Sequence, residues 1–340
     1  MHRLRLSAAA PRFFAGLVPA AALGGCSGSQ SALNPKSADA WSIGVQWWAM
    51  LGVGTIILIG VTVLLLIAAW RGRGRRERAG LSDTQAWLMV IFGGIVLPAF
   101  VIVGLVVSGL YIGSGADAGV TEPDLTIEVS GRRWWWEATY LDAAGDPVAT
   151  TANEIHIPVD RRVRFLLRSD NVIHSFWVPN LQGKTDLVPG VVNETWLRAG
   201  ETGVYRGQCA EFCGVQHAFM AFLVVVDSVA DFDRWLRDQA APAAAPETAA
   251  AVRGLQTFMR AGCDACHTIR GTGAQGELGP DLTHLASRRT LAAATMPNTT
   301  GHLGGWIADP QHVKPGNLMP STIVEPERFR DLLAYLESLR

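Results

Sequence analysis

Cys209-Ala210-Glu211-Phe212-Cys213-Gly214-Val215-Gln216-His217-Ala218-Phe219-Met220 gathers two thiols, an imidazole and a thioether into one short segment. Thiolate and thioether are soft ligands suited to copper, and imidazole suits the same metal. A single blue-copper centre needs only one thiolate, with two histidines and a weak methionine. A second thiolate four residues along suggests two metals bridged by two sulfurs. The bland alternative is an ordinary disulfide or redox dithiol between Cys209 and Cys213.

Such a centre still lacks a histidine. The segment Asp170-Asn171-Val172-Ile173-His174-Ser175-Phe176-Trp177-Val178-Pro179 offers one upstream. With both segments present, the pattern closely resembles subunit II of cytochrome c oxidase and its dinuclear CuA centre. The resemblance implies that Cys209 and Cys213 bridge two coppers, with His174 and His217 each binding one. Met220 and the backbone carbonyl of Glu211 are then the weaker axial ligands. It also implies that the Glu211 carboxylate binds a Mg²⁺ shared with subunit I, a sensible partner for a hard cation. A copper-delivery protein of the thioredoxin class also uses C-x3-C with a distant histidine, but sets it among alternating strands and helices.

A chain of 340 residues leaves room for two or three domains. Its formal net charge of -1 argues against a nucleic-acid partner. A hydrophobic share of 49% and 12 tryptophans point to membrane segments rather than one large soluble core. The five cysteines are Cys26, Cys209, Cys213, Cys263 and Cys266. Each has an assignment below, so no structural disulfide is expected.

Arg3, Arg5 and Arg12 precede an apolar run at 13–23 and then Leu23-Gly24-Gly25-Cys26. This is the layout of a secretory signal. The closing cysteine resembles a bacterial lipoprotein cleavage site, which implies removal of 1–25 and lipidation of Cys26. An uncleaved leader with an incidental cysteine is the alternative. Residues 26–40 are expected to form a flexible exported tail. No charged residue occurs at 41–70, and Trp41, Trp47, Trp48 and Trp70 mark its ends as aromatic belts do. The arginine-rich Arg71-Gly72-Arg73-Gly74-Arg75-Arg76-Glu77-Arg78 then marks a cytoplasmic loop. A second uncharged run at 84–116 includes Pro98, where a kink is expected. Segment 41–116 therefore reads as a transmembrane hairpin with helices at about 42–70 and 86–113. Both of its ends, and everything after Asp117, lie outside the cytoplasm.

Residues 117–235 form the expected copper domain. Short apolar runs at 125–129, 134–140, 154–158, 163–167, 173–178, 195–199, 203–208 and 221–226 read as strands of an all-β sandwich. With copper ligands between the last two, the fold resembles a cupredoxin. Trp134-Trp135-Trp136-Glu137 resembles the family's aromatic stretch beside the copper, where an electron arrives from a cytochrome. In a plain strand, alternate rings fill the core and the middle one faces out. Residues 236–251, rich in alanine and proline, read as a linker.

Residues 252–340 contain Cys263-Asp264-Ala265-Cys266-His267, a haem c attachment motif. Two thiols add to the two vinyl groups of one haem, and the adjacent histidine turns onto the iron. A zinc site would need further ligands, and no other cysteine pair is free. A starting helix at 252–261 and a closing helix at 325–340 are expected, the latter with Phe329, Leu332, Leu333, Leu336 and Leu339 at helical spacing. The whole resembles an all-α class I cytochrome c. Lys314-Pro315-Gly316-Asn317-Leu318-Met319-Pro320 matches the family's methionine loop, making Met319 the sixth ligand, with Met296 as competitor. Gly279-Pro280-Asp281-Leu282 matches the stretch packed near the proximal histidine, while His284, His302 and His312 read as surface or core residues.

Taken together, the resemblance implies the electron-input subunit of a bacterial plasma-membrane cytochrome c oxidase with its own cytochrome c fused on. Its implied partners are subunit I, carrying haem a and the haem a–CuB pair, subunit III, and an upstream cytochrome c or cytochrome bc complex. The chain passes electrons from haem c to CuA and on to haem a, where oxygen is reduced and protons are pumped. It should not reduce oxygen alone. The alternatives are a stand-alone copper–haem lipoprotein, a copper-delivery protein, or a quinol oxidase subunit II, whose copper ligands are lost. Two departures from the family stand out. No glutamate occurs in Ser82-Asp83-Thr84-Gln85-Ala86-Trp87, where many relatives place one at a proton channel, and Pro189-Gly190 is followed by Val191-Val192-Asn193 rather than arginine.

Overall fold

Two long apolar helices lead into a β-sandwich, and a small helical module closes the chain. The computed structural model describes residues 28–72, 82–115 and 122–340. The expected leader, Cys26 and most of the arginine-rich loop lie outside them. Helix α1 spans Ala38–Gly72. Helix α2 runs as Asp83–Ile91, a π-helical turn Phe92–Val96, and Leu97–Gly115. Both are long and apolar enough to cross a membrane. Ser108 Oγ donates to Gln46 Oε1 at 2.9 Å, and Gln46 Nε2 donates to the Leu105 carbonyl at 3.3 Å. The start of α1 thus meets the end of α2, so the pair is antiparallel, held by polar groups that find few partners in lipid. The π turn contains Gly94, four residues before Pro98, the acceptor position that proline cannot serve. Ser82 and Gln85 form a capping box at the start of α2.

The sandwich is built from β1 (Leu125–Arg132), β2 (Trp135–Leu141), β3 (Pro147–Ala152), β4 (Glu154–Pro158) and β5 (Val163–Ser169). It continues with β6 (His174–Trp177), β7 (Thr185–Leu187), β8 (Asn193–Leu197), β9 (Gly203–Cys209) and β10 (Ala221–Asp227). One sheet has the order β3-β2-β1-β5-β8 and the other β4-β10-β9-β6-β7. The parallel pairs β1/β5 and β4/β10 join otherwise antiparallel sheets. Strands β3 and β7 lie outside the expected series, because one is Thr-rich and starts at a proline and the other is only three residues long. Phe176 and Phe222 stack at 4.7 Å between the sheets, with Trp136 5.1 Å from Phe222. All three rings are fully buried, each contributing roughly 1.5–3 kcal/mol of apolar burial.

The tail is not free where it is described. Asn180 Nδ2 donates to the carbonyls of Ser31 and Asn34, both at 2.9 Å, and the Asn180 carbonyl accepts from Lys36 N at 2.7 Å. Backbone groups that a loose tail would leave to water are taken by the sandwich. The linker boundaries also need correction. Helix α3 spans Val229–Ala240, capped by Ser228, and α4 spans Ala249–Arg260, capped by Thr248. Between them Ala243 N donates to the Arg270 carbonyl at 2.9 Å, and Arg270 Nη1 to the Ala240 carbonyl at 2.9 Å. Alanine and proline dominate this stretch, but its backbone is pinned by the module that follows.

In that module α4 crosses α7 (Pro326–Leu336), with α5 (Thr300–Ala308) and α6 (Pro310–Val313) beside them. A two-residue ladder, β11 (Thr290–Leu291) with β12 (Met296–Pro297), is its only sheet among the described residues. Gly254 sits at the crossing, where an added Cβ would run into the Asp331 backbone and the Tyr335 side chain. Arg253 donates two 2.8 Å hydrogen bonds to the Asp331 carboxylate on the rim.

In the sandwich, buried His156 stacks on Trp235 at 4.1 Å. Its Nδ1 donates to Asp227 at 2.6 Å and its Nε2 faces Glu154 at 3.3 Å. Burial opposes the charged ring, but the bonds to Asp227 and Glu154 outweigh it and hold the imidazolium above its usual range. A raised folded-state value adds stability that is complete below the unfolded value near 6.5 and is lost as pH rises through the folded one. Unfolding midpoints of the full chain, taken from about pH 6 to 9, should therefore fall more steeply than in H156Q; parallel curves would contradict this account. Gly254→Val should lower the calorimetric transition of the C-terminal module by about 1–3 kcal/mol through overpacking, while leaving the sandwich transition in place.

Candidate metal centre and the cavity beside it

Strand β6 pairs antiparallel with β9, placing Phe176 opposite Cys209. Cys209 N donates to the Met220 carbonyl at 2.9 Å, and Ala210 N to the Ser175 carbonyl at 3.0 Å. These backbone bonds close the 209–220 loop over the end of the sandwich. Cys209 Sγ then lies 3.8 Å from Cys213 Sγ and 3.9 Å from His174 Nδ1. Cys213 Sγ is 3.7 Å from His217 Nδ1 and 3.8 Å from Met220 Sδ. The carbonyl of Glu211 is 3.1 Å from Cys209 Sγ. Both sulfurs, His174 and Met220 are buried, and both cysteines are free thiols. All six expected ligand groups converge, so the donor set fits a soft metal pair.

Electrostatics favours a cation there. A hydrogen bond from Cys213 outweighs burial and pulls the Cys209 thiol far below its usual range, favouring its thiolate. Cys213 is pushed up because it shares the remaining proton with that thiolate. His174 Nε2 donates to Asn171 Oδ1 at 3.1 Å. This fixes the tautomer and leaves Nδ1 facing Cys209 with its lone pair free, as a metal ligand requires. Asn171 was not singled out in the sequence, though its place three residues before a ligating histidine is a usable signal. The Glu211 carboxylate is exposed, 3.9 Å from Lys184 Nζ.

The tryptophans follow strand alternation, with Trp134 and Trp136 in the sandwich core and Trp135 between them facing out. Trp136 is in the core, 6.1 Å from the His174 ring. Trp135 faces out of the sandwich but packs on Ala293 of the C-terminal module, so it too is buried. Trp134 Nε1 donates to the Cys213 carbonyl at 2.9 Å.

In the C-terminal module, Cys263, Cys266, His267 and Met319 line one cavity of about 370 Å³, walled mainly by Leu278, Leu282, Leu303, Ile307 and Leu336. Trp134 and Trp135 also line it. His267 Nδ1 donates to the Pro280 carbonyl at 2.8 Å, leaving Nε2 free, and burial keeps the ring neutral by lowering its basicity. Gly279 lies so close to this ring that a Cβ would overlap it. Met319 is held by its own loop. Its N–H donates to Asn317 Oδ1 at 2.7 Å and its carbonyl accepts from Gln311 Nε2 at 3.0 Å. Met296 is committed to the β11/β12 ladder and does not line the cavity. Two free thiols, a neutral imidazole and a thioether around an apolar slot fit a covalently held haem. His284 is buried on the Ala241 carbonyl at 3.0 Å, while His302 is exposed.

This arrangement defines a membrane-anchored electron-transfer protein with a copper-type cupredoxin module and a cytochrome c module. Residues 125–229 match the family described as cytochrome c oxidase subunit II, periplasmic domain, and residues 251–340 match cytochrome c. A protein named cytochrome c oxidase subunit 2 from Alkalihalophilus pseudofirmus is 31% identical over 327 residues, covering 94% of each chain. A probable cytochrome c oxidase subunit 2 from Rickettsia felis is 40% identical over 204 residues, 55% of this chain and 64% of its own. Among solved structures, the periplasmic domain of subunit II of cytochrome oxidase from Bradyrhizobium japonicum is 32% identical. It covers 36% of this chain and 96% of its own, with a TM-score of 0.33. The chain belongs to the cytochrome c oxidase subunit II family and carries a fused C-terminal cytochrome c domain.

Proposed function

We propose that this chain is the electron-input subunit of a proton-translocating terminal oxidase, taking electrons at its cytochrome module and delivering them through its copper centre to haem a of subunit I. Its modules would stand on the periplasmic or outer face of a bacterial plasma membrane, anchored by α1 and α2 and by lipid on Cys26. Subunit III and a donor cytochrome c or bc complex complete the expected partnership. The observation that carries this reading is that one side chain touches both sites. The Trp134 ring lines the C-terminal cavity, and its indole N–H is bonded to the carbonyl of Cys213. Trp134, rather than Trp135 or Trp136, is then the residue at which electrons arrive.

A pair of coppers bound there would supply a one-electron centre, and a haem c bound in the cavity would supply the donor. The chain's own groups do the rest. Cys209, Cys213, His174 and His217 would hold the coppers, with Met220 and the Glu211 carbonyl as weaker donors. Asn171 fixes the His174 tautomer, so this ligand need not reorganise. Cys263 and Cys266 would tether the haem and His267 and Met319 would ligate its iron, the Pro280 carbonyl orienting His267. Met/His ligation raises a haem's potential and closes it to oxygen, as a carrier requires. The leucines of the cavity exclude water. The exposed Glu211 carboxylate would take Mg²⁺ at the boundary with subunit I.

Metal and haem analysis of the full chain purified in mild detergent should give two coppers and one covalent haem. C213S should lose the mixed-valence copper spectrum while the haem remains attached. A wild-type copper spectrum in C213S would remove the basis of the assignment. Met319→Leu should keep the covalent haem but lower its reduction potential, whereas M296L should leave it in place; the reverse pattern would transfer the ligand role to Met296. Co-purification with a multispanning haem a subunit separates the oxidase from a free-standing carrier.

A further inference from the structure

The cytochrome module is seated on the sandwich by a buried cation. Lys314 is 3% exposed, although lysine is among the residues least often buried. Its Nζ donates to three backbone carbonyls: Phe219 at 3.0 Å, Trp134 at 3.3 Å and Ala292 at 3.3 Å. The first two belong to the copper module and the third to its own. All three donors of the ammonium are thereby used, and no carboxylate is among the partners. Phe219 adjoins Met220, and Trp134 bridges the two sites. The amine thus ends beside Trp134, the side chain that touches both the copper loop and the cavity.

The face that receives the sandwich is shaped for it. Ala292, Ala293 and Ala294 all adopt the left-handed conformation, at φ 53, 57 and 55, which L-residues rarely repeat in succession. This turn directs the Ala292 carbonyl to Lys314 and the Ala294 carbonyl to Arg206 Nη1 at 2.7 Å. Its methyls enter small apolar clusters of the sandwich, Ala293 with Trp135 and Ala152, Ala294 with Ala221 and Leu223. Arg289 N donates to Glu154 Oε2 at 2.9 Å, and Gln216 Nε2 bonds the Pro315 carbonyl. A strained turn whose carbonyls and methyls all find partners across a boundary marks a built interface rather than a chance contact.

We propose that Lys314 is a docking pin, a positioning residue that holds the cytochrome module in one register on the copper loop so that Trp134 spans both sites. The inference rests on the electron-input reading, in which one electron lost at the cytochrome site is gained at the copper site. It adds that the 134–136 face is occupied by the chain's own cytochrome module, so an external donor must address that module instead. The pin acts through Trp134 and Phe219 and takes no part in ligation.

Two measurements on the full-length holoprotein in detergent test this. In the first, wild-type protein is treated with an acetylating ester and its three lysines, Lys36, Lys184 and Lys314, are followed by mass spectrometry. Lys314 should label roughly tenfold or more slowly than exposed Lys184, because labelling requires the interface to open; equal rates would overturn the pin. In the second, K314M keeps the length of the side chain but removes its donors. Its copper and haem spectra should match wild type, while haem-to-copper electron transfer after rapid reduction slows by about tenfold or more, as expected when two reacting sites lose alignment. K36M, at a lysine paired with Glu201 away from both sites, serves as the control with unchanged transfer. An unchanged rate in K314M would overturn the proposal. Absence of any such transfer in wild type would strike the electron-input reading alone, and the acetylation result would still decide the docking.

Discussion

A few backbone hydrogen bonds between β6 and β9 hold the metal centre together. Cys209 ends β9 while His174 begins β6, and their strands pair only through Phe176–Cys209 and Trp177–Gln208. Past that point the loop is returned to the sheet by the Cys209–Met220 and Ala210–Ser175 bonds. His174 and Cys209 sit at strand ends, while Cys213, His217 and Met220 are carried by the loop between β9 and β10. They converge because the backbone groups beneath them have no other partners, and leaving such groups unpaired in a buried place is costly. The core supports this geometry from below, since Phe176, Phe222 and Trp136 fill the space under the loop.

The same loop is the platform for the second module. Trp134 bonds the Cys213 carbonyl, Lys314 bonds the Phe219 carbonyl, and Gln216 bonds the Pro315 carbonyl. Each uses a main-chain acceptor, so the contact depends on loop shape more than on side-chain identity. Burial lowers the Lys314 ammonium to about 8. That cation lies between two electron-transfer sites, where a low dielectric magnifies its field. Three successive left-handed alanines, each costing roughly 1–2 kcal/mol for an L-residue, are tolerated at the boundary because their carbonyls and methyls are used there.

Much of this molecule is legible in the chain itself. Residues 41–70 and 84–116 carry no charge, and the helices built on them are long and apolar enough to cross a membrane. The cysteine, histidine and methionine spacings name both sites, because ligand chemistry acts over a few residues. Strand periodicity recovers most of the sandwich. It misses β3 and β7, where Thr150, Thr151 and the short run Thr185–Leu187 give no apolar alternation. Compositional reading fails for the tail and the linker, since their order comes from Asn180 and Arg270, distant groups that accept or supply backbone hydrogen bonds.

What the sequence determined alone is therefore the inventory: two helices apolar enough for a membrane, a copper-type ligand set, and a haem attachment motif with a candidate methionine loop. What only the tertiary structure decided is the wiring between them. Periodicity sets Trp135 apart but cannot distinguish Trp134 from Trp136, nor mark Lys314 as buried rather than solvated. Those roles are set by contacts between residues 180 positions apart, as in the Lys314–Trp134 bond. Such contacts leave no local pattern, because the chain needs only one amine and one carbonyl to make them.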